Sequence, residues 1–498
     1  MKLDGRDEIS ARVPAASHTD RPPGGSNDSS RARRRLGDVL AGITLVLLFA
    51  LAVAFHEART TFLDLAFHLY EHATTGEIAI QNHRFVSALT QWVPVTLLEG
   101  GLEMRWVQLA YSLAFPVLYG LTWLALRWPL RSPAWALAWI LPWLTFVTHD
   151  HYWIQSELPQ GLAVVTLALA LVGCRPRRPA YRILAKAALP LLLFTAAFAH
   201  PLLVVPMTFA LGFLALMRLA PKQEIAAGAL VYYGAYAVRA LFFATEYDGQ
   251  AGNPAEGLLG FVRGDLPSSI PTLLTNLGAL YYGFVTVLAL GSWLLWRGGW
   301  RWAAVWTLGA VGGHLALVAV SYPGPDVAAF YIENLYLPAG WMAAVGLAFG
   351  WAATGWAAPK PAIVWLIAAL ALARLGHIAY VGLDTYQPRL RRLTADLERY
   401  ADQKTFLVKT PDLTAAYIMT WGTGYEAWVW SARRGLPTRG FLIAEAPQNF
   451  AWALNDPDRL VTEFLMPRFD ELPARYFANP DTTRGYRVVR PEAPSPMQ

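Results

Sequence analysis

Apolar runs of membrane-spanning length recur along most of this chain, and they constrain the fold more than any other feature. A bilayer core is crossed by roughly 20 helical residues. Runs of about that character cover residues 37–55, 105–126, 133–148, 159–174, 183–199, 201–217, 224–243, 273–296, 302–320, 336–353 and 361–381. They predict an α-helical polytopic membrane protein of about 11 spans. The rest of the composition agrees. Only 15% of the 498 residues are charged, against about 25% in a usual soluble domain. An ordinary soluble enzyme, a coiled coil, a collagen-like fibre and a disordered chain are all excluded. The net charge of +6 sits where membrane topology requires it, so a nucleic-acid partner is not expected. The single cysteine, Cys174, permits no intramolecular disulfide and abuts a basic loop.

Charge sets the expected orientation. With the amino terminus inside, the inner loops hold Arg127, Arg131, Arg175, Arg177, Arg178, Arg182, Arg218, Lys222, Arg297, Arg301 and Lys360. Away from span ends, the outer loops hold only Arg59, Arg84 and Arg263. Short loops rich in Lys and Arg stay on the cytoplasmic side. Residues 1–36 then read as a disordered cytoplasmic tail ending in Arg31 to Arg35, and residues 37–383 as the transmembrane part. Residues 384–498 read as a small α/β domain outside the membrane. Thr405–Val408 and Gly440–Ala444 are its expected strands, and Leu413–Arg433 is a Trp-rich helix between them. The stretch from Pro491 to Gln498 is Pro-rich and expected to fray.

The outer loops carry the ionisable residues. The first, 56–104, is long but rich in Leu, Phe, Trp and Val, so it is expected to be ordered. On a helix, Asp64, His68 and His72 fall at i, i+4 and i+8, one polar stripe on an otherwise apolar surface. Phe85–Leu98, which contains Pro94, suits an interfacial or re-entrant helix. A carboxylate beside apolar surface can act as a general base or ligate a divalent cation with histidine. The same residues also suit a helix that merely solvates one edge. Thr148–Glu157 is a short second loop dense in ionisable groups, including Asp150, His151 and Glu157. His68 and His151 are the candidate ligands for a metal such as Mg, Mn or Zn, although no H-E-x-x-H spacing is present. Hydrogen-bonded histidines lining a polar cavity explain the placement equally.

Arg239 and Arg374 fall within expected spans. Intramembrane charge marks a functional site or a buried partner, and guanidinium suits phosphate. Glu333 is a candidate partner for either. Snorkelling to the interface is the alternative, easier for Arg239 than for Arg374. Neither a phosphate-cradling loop nor a dinucleotide fingerprint occurs, so an activated substrate is expected to be a lipid.

This layout resembles the glycosyltransferase C (GT-C) superfamily. The matching positions are Asp64 or Glu57 after the first span, and Asp150 with Glu157 after the third. Asn82-His83-Arg84-Phe85 and Gln155-Ser156-Glu157-Leu158-Pro159-Gln160-Gly161 resemble uncharacterised bacterial multispan proteins of this architecture. The resemblance covers roughly residues 37–340. It implies a multi-pass enzyme of the bacterial inner membrane that moves a sugar from a polyprenyl-phosphate or polyprenyl-pyrophosphate carrier. The acceptor would be a cell-envelope glycan, lipid or protein on the periplasmic face. Asp64 or Glu57 would be the base and Arg374 or Arg239 would hold the lipid phosphate. Asp150 and Glu157 would orient acceptor or metal. The sequence departs from the pattern in two places. Glu57 and Asp64 are not a tight acidic pair, and Trp421-Gly422-Thr423-Gly424 is not the oligosaccharyltransferase W-W-D motif. Two other classes remain: a transporter or flippase of lipid-linked glycans, and a non-catalytic membrane assembly protein.

Overall fold

The computed structural model describes residues 27–153, 156–173, 179–246, 259–260, 262–263, 267, 269–322, 329–354 and 361–491. The expected tail 1–26, Cys174 with Arg175, Arg177 and Arg178, Lys360, and the end from residue 492 lie outside the described residues.

Helices form wherever the apolar runs predicted them. The first part comprises α1 (Asn27–Ala54), α2 (His56–Thr60), α3 (Asp64–Thr75), α4 (Ala88–Glu99), α5 (Met104–Arg127), α6 (Pro133–Thr145), α7 (Glu157–Gly173) and α8 (Pro179–Ala199). The second comprises α9 (Val204–Leu216), α10 (Lys222–Phe242), α11 (Ser269–Ala279), α12 (Tyr282–Arg297), α13 (Arg301–Ser321), α14 (Ala329–Ala353) and α15 (Pro361–Val381). A five-residue π-helical turn, Gly382–Tyr386, joins α15 to α16 (Gln387–Arg399). Residues 27–36 were expected in the disordered tail, but they belong to α1. Its Arg and Ala residues are good helix formers and extend the apolar helix towards the amino terminus.

Five of these helical stretches are long and apolar enough to cross a membrane: α5, α10, α13, α14 and Trp365–Arg399. A sixth is counted if α11 and α12 form one span, although they meet at 82°. The 273–296 run was expected to be one span. It breaks where the Asn276 carbonyl accepts from both the Leu280 and Tyr281 amides. Ala41–Ala54, Glu157–Val172, Ile183–Ala199 and Pro201–Leu216 are apolar but shorter, and α6 has 13 residues. Proline explains some of the shortening: it stands at the start of α6 and at Pro201, where it opens a helix but cannot continue one.

The core is built around α14, which is buried along nearly its whole length and packs on α6, α9, α12 and α13. Small residues set the α12–α14 distance. A Cβ on Gly291 would stand 2.6 Å from the Leu347 nitrogen.

The carboxyl-terminal part contains a small three-stranded parallel sheet. Its strands are β1 (Thr405–Val408), β2 (Phe441–Ala444) and β3 (Arg487–Val489), in the order β2-β1-β3. The expected Leu413–Arg433 helix is two helices, α17 (Pro411–Tyr417) and α18 (Thr423–Arg434), parted at Ile418. A one-turn α19 (Ala451–Leu454) follows β2. This part shares an apolar core with the helical bundle: Tyr417, Tyr425 and Trp428 belong to the same cluster as Phe62, Leu65 and Tyr70. The seam is the contact of α18 with α3, where the Tyr70 and Trp428 rings meet edge to face at 5.5 Å. A smaller cluster, including Phe406, Leu442 and Tyr486, packs against the sheet.

Candidate functional site

The chain turns sharply between α2 and α3. Leu63 adopts φ 44, a conformation costly for a bulky residue. Its amide donates to the buried Glu426 carboxylate at 2.9 Å, which holds the turn. Asp64 is thereby placed at the start of α3, where the helix dipole favours negative charge. Asp64 Oδ2 accepts from the Trp153 indole N–H at 2.6 Å. Trp153 follows directly on His151 and Tyr152 in the second ionisable loop, so the two ionisable loops meet.

They meet at a cavity of about 770 Å³. Asp64, Gln81, Asn82 and Arg84 come from the first loop; Trp153, Ser156 and Glu157 come from the second. His200, Tyr236, Tyr331 and Asn334 add polar groups. Val204, Val205, Leu317, Val318 and Leu335 add apolar wall from the helices. Met419, Trp421 and Phe464 bring in the carboxyl-terminal part. A mostly apolar wall with a few convergent polar groups is the usual makeup of a ligand site.

Arg84 is turned inward by local strain. Asn82 and His83 both have positive φ, 50 and 56. The bend is pinned by a hydrogen bond from the Thr245 hydroxyl to Asn82 Oδ1 at 3.2 Å and by the His83 ring against Phe243 at 5.3 Å. Arg84 Nη1 then pairs with Glu157 Oε2 at 3.2 Å, both side chains being buried. Arg239 lies one turn beyond Tyr236 on α10 and is also buried. Burial first, and then the charges of Arg84 and Arg239, hold the His200 ring well below the usual histidine value. The cavity lining thus joins the Arg84–Glu157 pair to the neutral His200 ring.

Asp150 and Arg374 lie elsewhere. They belong to a second buried cluster, not to the cavity lining. Glu333 Oε1 accepts from the Thr148 amide at 2.5 Å and the Asp150 amide at 3.0 Å. Arg374 donates to the Thr148 hydroxyl, to the Thr145 carbonyl at 3.1 Å and to the Leu280 carbonyl. Leu280 is at the break between α11 and α12, so Arg374 serves a carbonyl released by that break. Burial first, and then the Glu333 carboxyl, push the Asp150 carboxyl well above the usual carboxylate range. Glu57 lies apart from both clusters, held by Arg433 at 3.2 Å and Arg434 at 3.3 Å.

His68, His72 and His151 are buried. His68 stands beside Gln91 (3.4 Å) and Tyr111 (3.5 Å), and burial drives its pKa down to about 3. Burial likewise holds His72 at about 4. His151 is held well below the usual histidine value by burial and then by the charge of Arg59, which donates to the His151 carbonyl at 2.7 Å. Among the described residues, no three His, Cys, Asp or Glu side chains gather to hold a metal ion. The acids at the cavity are Asp64 and Glu157, and Arg84 already neutralises Glu157. This donor set does not fit a divalent cation.

Arg389 and Glu426 went unnoticed in the sequence. Arg389 binds both Glu426 oxygens, at 2.6 and 2.8 Å, with both side chains almost fully enclosed. The available signal was Glu426 itself, an acid set among Tyr425, Trp428 and Trp430 in an apolar helix. Arg84 was visible as an outer-loop arginine and within the quoted Asn82–Phe85 stretch, without a partner assigned to it. Asn334, which donates to the Ser156 hydroxyl at 2.6 Å, carried no signal. No protein-family model matches this sequence, and no curated protein matches it.

Proposed function

We propose that the chain is a GT-C-type membrane glycosyltransferase with about eleven spans and a cytoplasmic amino terminus. It transfers a sugar from a polyprenyl-phosphate or polyprenyl-pyrophosphate carrier to a cell-envelope acceptor at the outer face of a bacterial inner membrane. The observation that carries this reading is a cavity that joins Asp64 to the Arg84 guanidinium, with an apolar wall from the helices. Such a cavity suits an amphipathic donor. The lipid chain lies along Val204, Val205, Leu317 and Leu335, and the phosphate faces Arg84 and Arg239. Asp64 takes the proton of an acceptor hydroxyl as that oxygen attacks the anomeric carbon. The bond from that carbon to the phosphate oxygen breaks, and the phosphate leaves with the electron pair. Attack from the opposite face inverts the anomeric centre. The proton acceptor contributes about 10²–10⁴-fold, and fixed cations opposite the departing charge add to it. Arg374, tied to three oxygens, acts in the fold and not on the phosphate. No step is assigned to a metal.

The test is transfer of labelled sugar in proteoliposomes by the native protein and by Asp64→Asn. Loss in the variant supports the reading; equal rates sink the base assignment.

One observation favours lipid transport as a second reading. Broken helices at membrane depth are a transporter feature, and the 82° break between α11 and α12 is stabilised by an intramembrane arginine. A flippase would move the intact carrier across the bilayer without cleaving the sugar from it.

A further inference from the structure

The cavity wall made by the carboxyl-terminal part is held in place by strain and by a buried charge pair. Met419 N donates to Tyr417 O at 2.6 Å, and Ile418 between them has φ 64 and ψ −47. This is a γ-turn of the rare, strained hand, centred on a β-branched residue that is especially ill suited to it. Without the turn, α17 and α18 would run on as one helix. With it, Met419 and Trp421 face the cavity.

Arg389 fixes both sides of the turn, donating to Tyr417 O at 2.7 Å and to Met419 O at 3.5 Å. Its bidentate partner Glu426 accepts the amide of Leu63, the residue before Asp64. One ion pair thus sets the wall and Asp64 in a common register. Gly422 brings them into contact: a Cβ there would lie 2.9 Å from Leu63 Cα. Next to it, the Trp421 and Phe464 rings stand 5.5 Å apart, and Phe464 is 61% exposed. The Trp421 indole N–H points to the Met419 sulfur at 3.1 Å, a weak acceptor that a hydroxyl would displace.

We infer that Met419, Trp421 and Phe464 form the acceptor subsite, and that it takes a sugar ring. The acceptor is thus a glycan, not a protein or a plain lipid. An aromatic face matches the apolar C–H face of a pyranose, while Gln81, Asn82 and the indole N–H meet its hydroxyls. Asp64 lies within reach of the hydroxyl that is to be glycosylated. The strain is retained because it presents this wall. Arg389 and Glu426 are positioning residues that act through Leu63 and the γ-turn.

The inference rests on the transferase reading for its role, but sugar binding is measurable without transfer. Saturation-transfer NMR on the full chain in lipid nanodiscs, with methyl β-glucopyranoside, methyl β-galactopyranoside and methyl α-mannopyranoside as probes, reads it directly. The native protein is expected to saturate the ring C–H protons of at least one probe. Trp421→Ala should lose most of the signal, and Trp421→Phe should keep it. In the transfer assay, Trp421→Ala should raise the acceptor KM at least fivefold with donor KM unchanged. Equal saturation in native and Trp421→Ala protein, no saturation by any probe, or a change in donor KM instead would overturn the subsite. A native protein that binds sugar at Trp421 but transfers none would overturn the transferase reading alone.

Discussion

A single side chain at this site is seldom separable from its partner, and Arg84 shows why. It is buried against Glu157. Removing it alone leaves an uncompensated buried carboxylate, which costs about 3–5 kcal/mol. Arg84→Ala is therefore expected to lower thermal stability and donor binding together. The double substitution Arg84→Met with Glu157→Gln removes both charges and should restore most of the stability while donor KM stays at least tenfold raised. Melting curves and donor titrations on the two variants separate the effects. A double variant with native donor KM would take the phosphate away from Arg84. The acids divide in the same way. Asp64 and Glu157 meet at one cavity because each opens its helix, α3 and α7, at that cavity. Asp150 and Arg374 were chosen by the same criteria of charge and position, yet Glu333 and the Leu280 carbonyl draw them into a different cluster. That pairing joins Leu280 to Arg374 across 94 residues, and no spacing rule reaches so far.

Among the elements, α3 carries the clearest pH dependence. His68 and His72 have folded-state pKa values of about 3 and about 4, below the ordinary value of about 6.5. The unfolded chain therefore binds more protons between those values. The contribution of these rings is complete above about pH 6.5 and falls as the pH drops towards 4, by up to about 1.4 kcal/mol per unit for each ring, offset in part by Glu71 on the same helix, whose carboxyl burial pushes up to about 7. The melting temperature should drop between pH 7.5 and pH 5, and His68→Gln with His72→Gln should flatten the slope. An unchanged slope would place the acid-labile groups elsewhere. The α11–α12 break is the other sensitive element. Arg374→Leu leaves the Leu280 and Thr145 carbonyls and the Thr148 hydroxyl without their cation, at about 1–3 kcal/mol for each buried group left unsatisfied. The variant should melt well below the native protein. A native-like melting temperature would make the break self-supporting.

On the scale of the molecule, the helices were legible because apolar runs of this length have few alternatives. Their lengths were less so, since Pro201 and the Leu280–Tyr281 break shorten them without interrupting apolarity. Strands β1 and β2 were legible as short apolar runs. Strand β3, three residues beginning with an arginine, was not. The sequence read residues 384–498 as a domain of its own. The buried bond from Leu63 to Glu426 and the shared core pack that part against α3 and make it a wall of the cavity. Expressed alone, residues 384–498 should fail to fold, because the α18 face that α3 covers would be left in water. A cooperative unfolding transition of that fragment would contradict this.

The most direct measurement is sugar transfer by the purified chain in proteoliposomes, supplied with polyprenyl-phosphate-linked sugars extracted from bacterial membranes and a glycan acceptor. Native mass spectrometry of the bound lipid would accompany it. The native protein should form product and release the unglycosylated carrier. Asp64→Asn should bind the same carrier yet transfer at least 100-fold more slowly. Native protein that carries the donor across the bilayer with its sugar still attached, or an Asp64→Asn variant that transfers at the native rate, would contradict catalysis by Asp64 at this cavity.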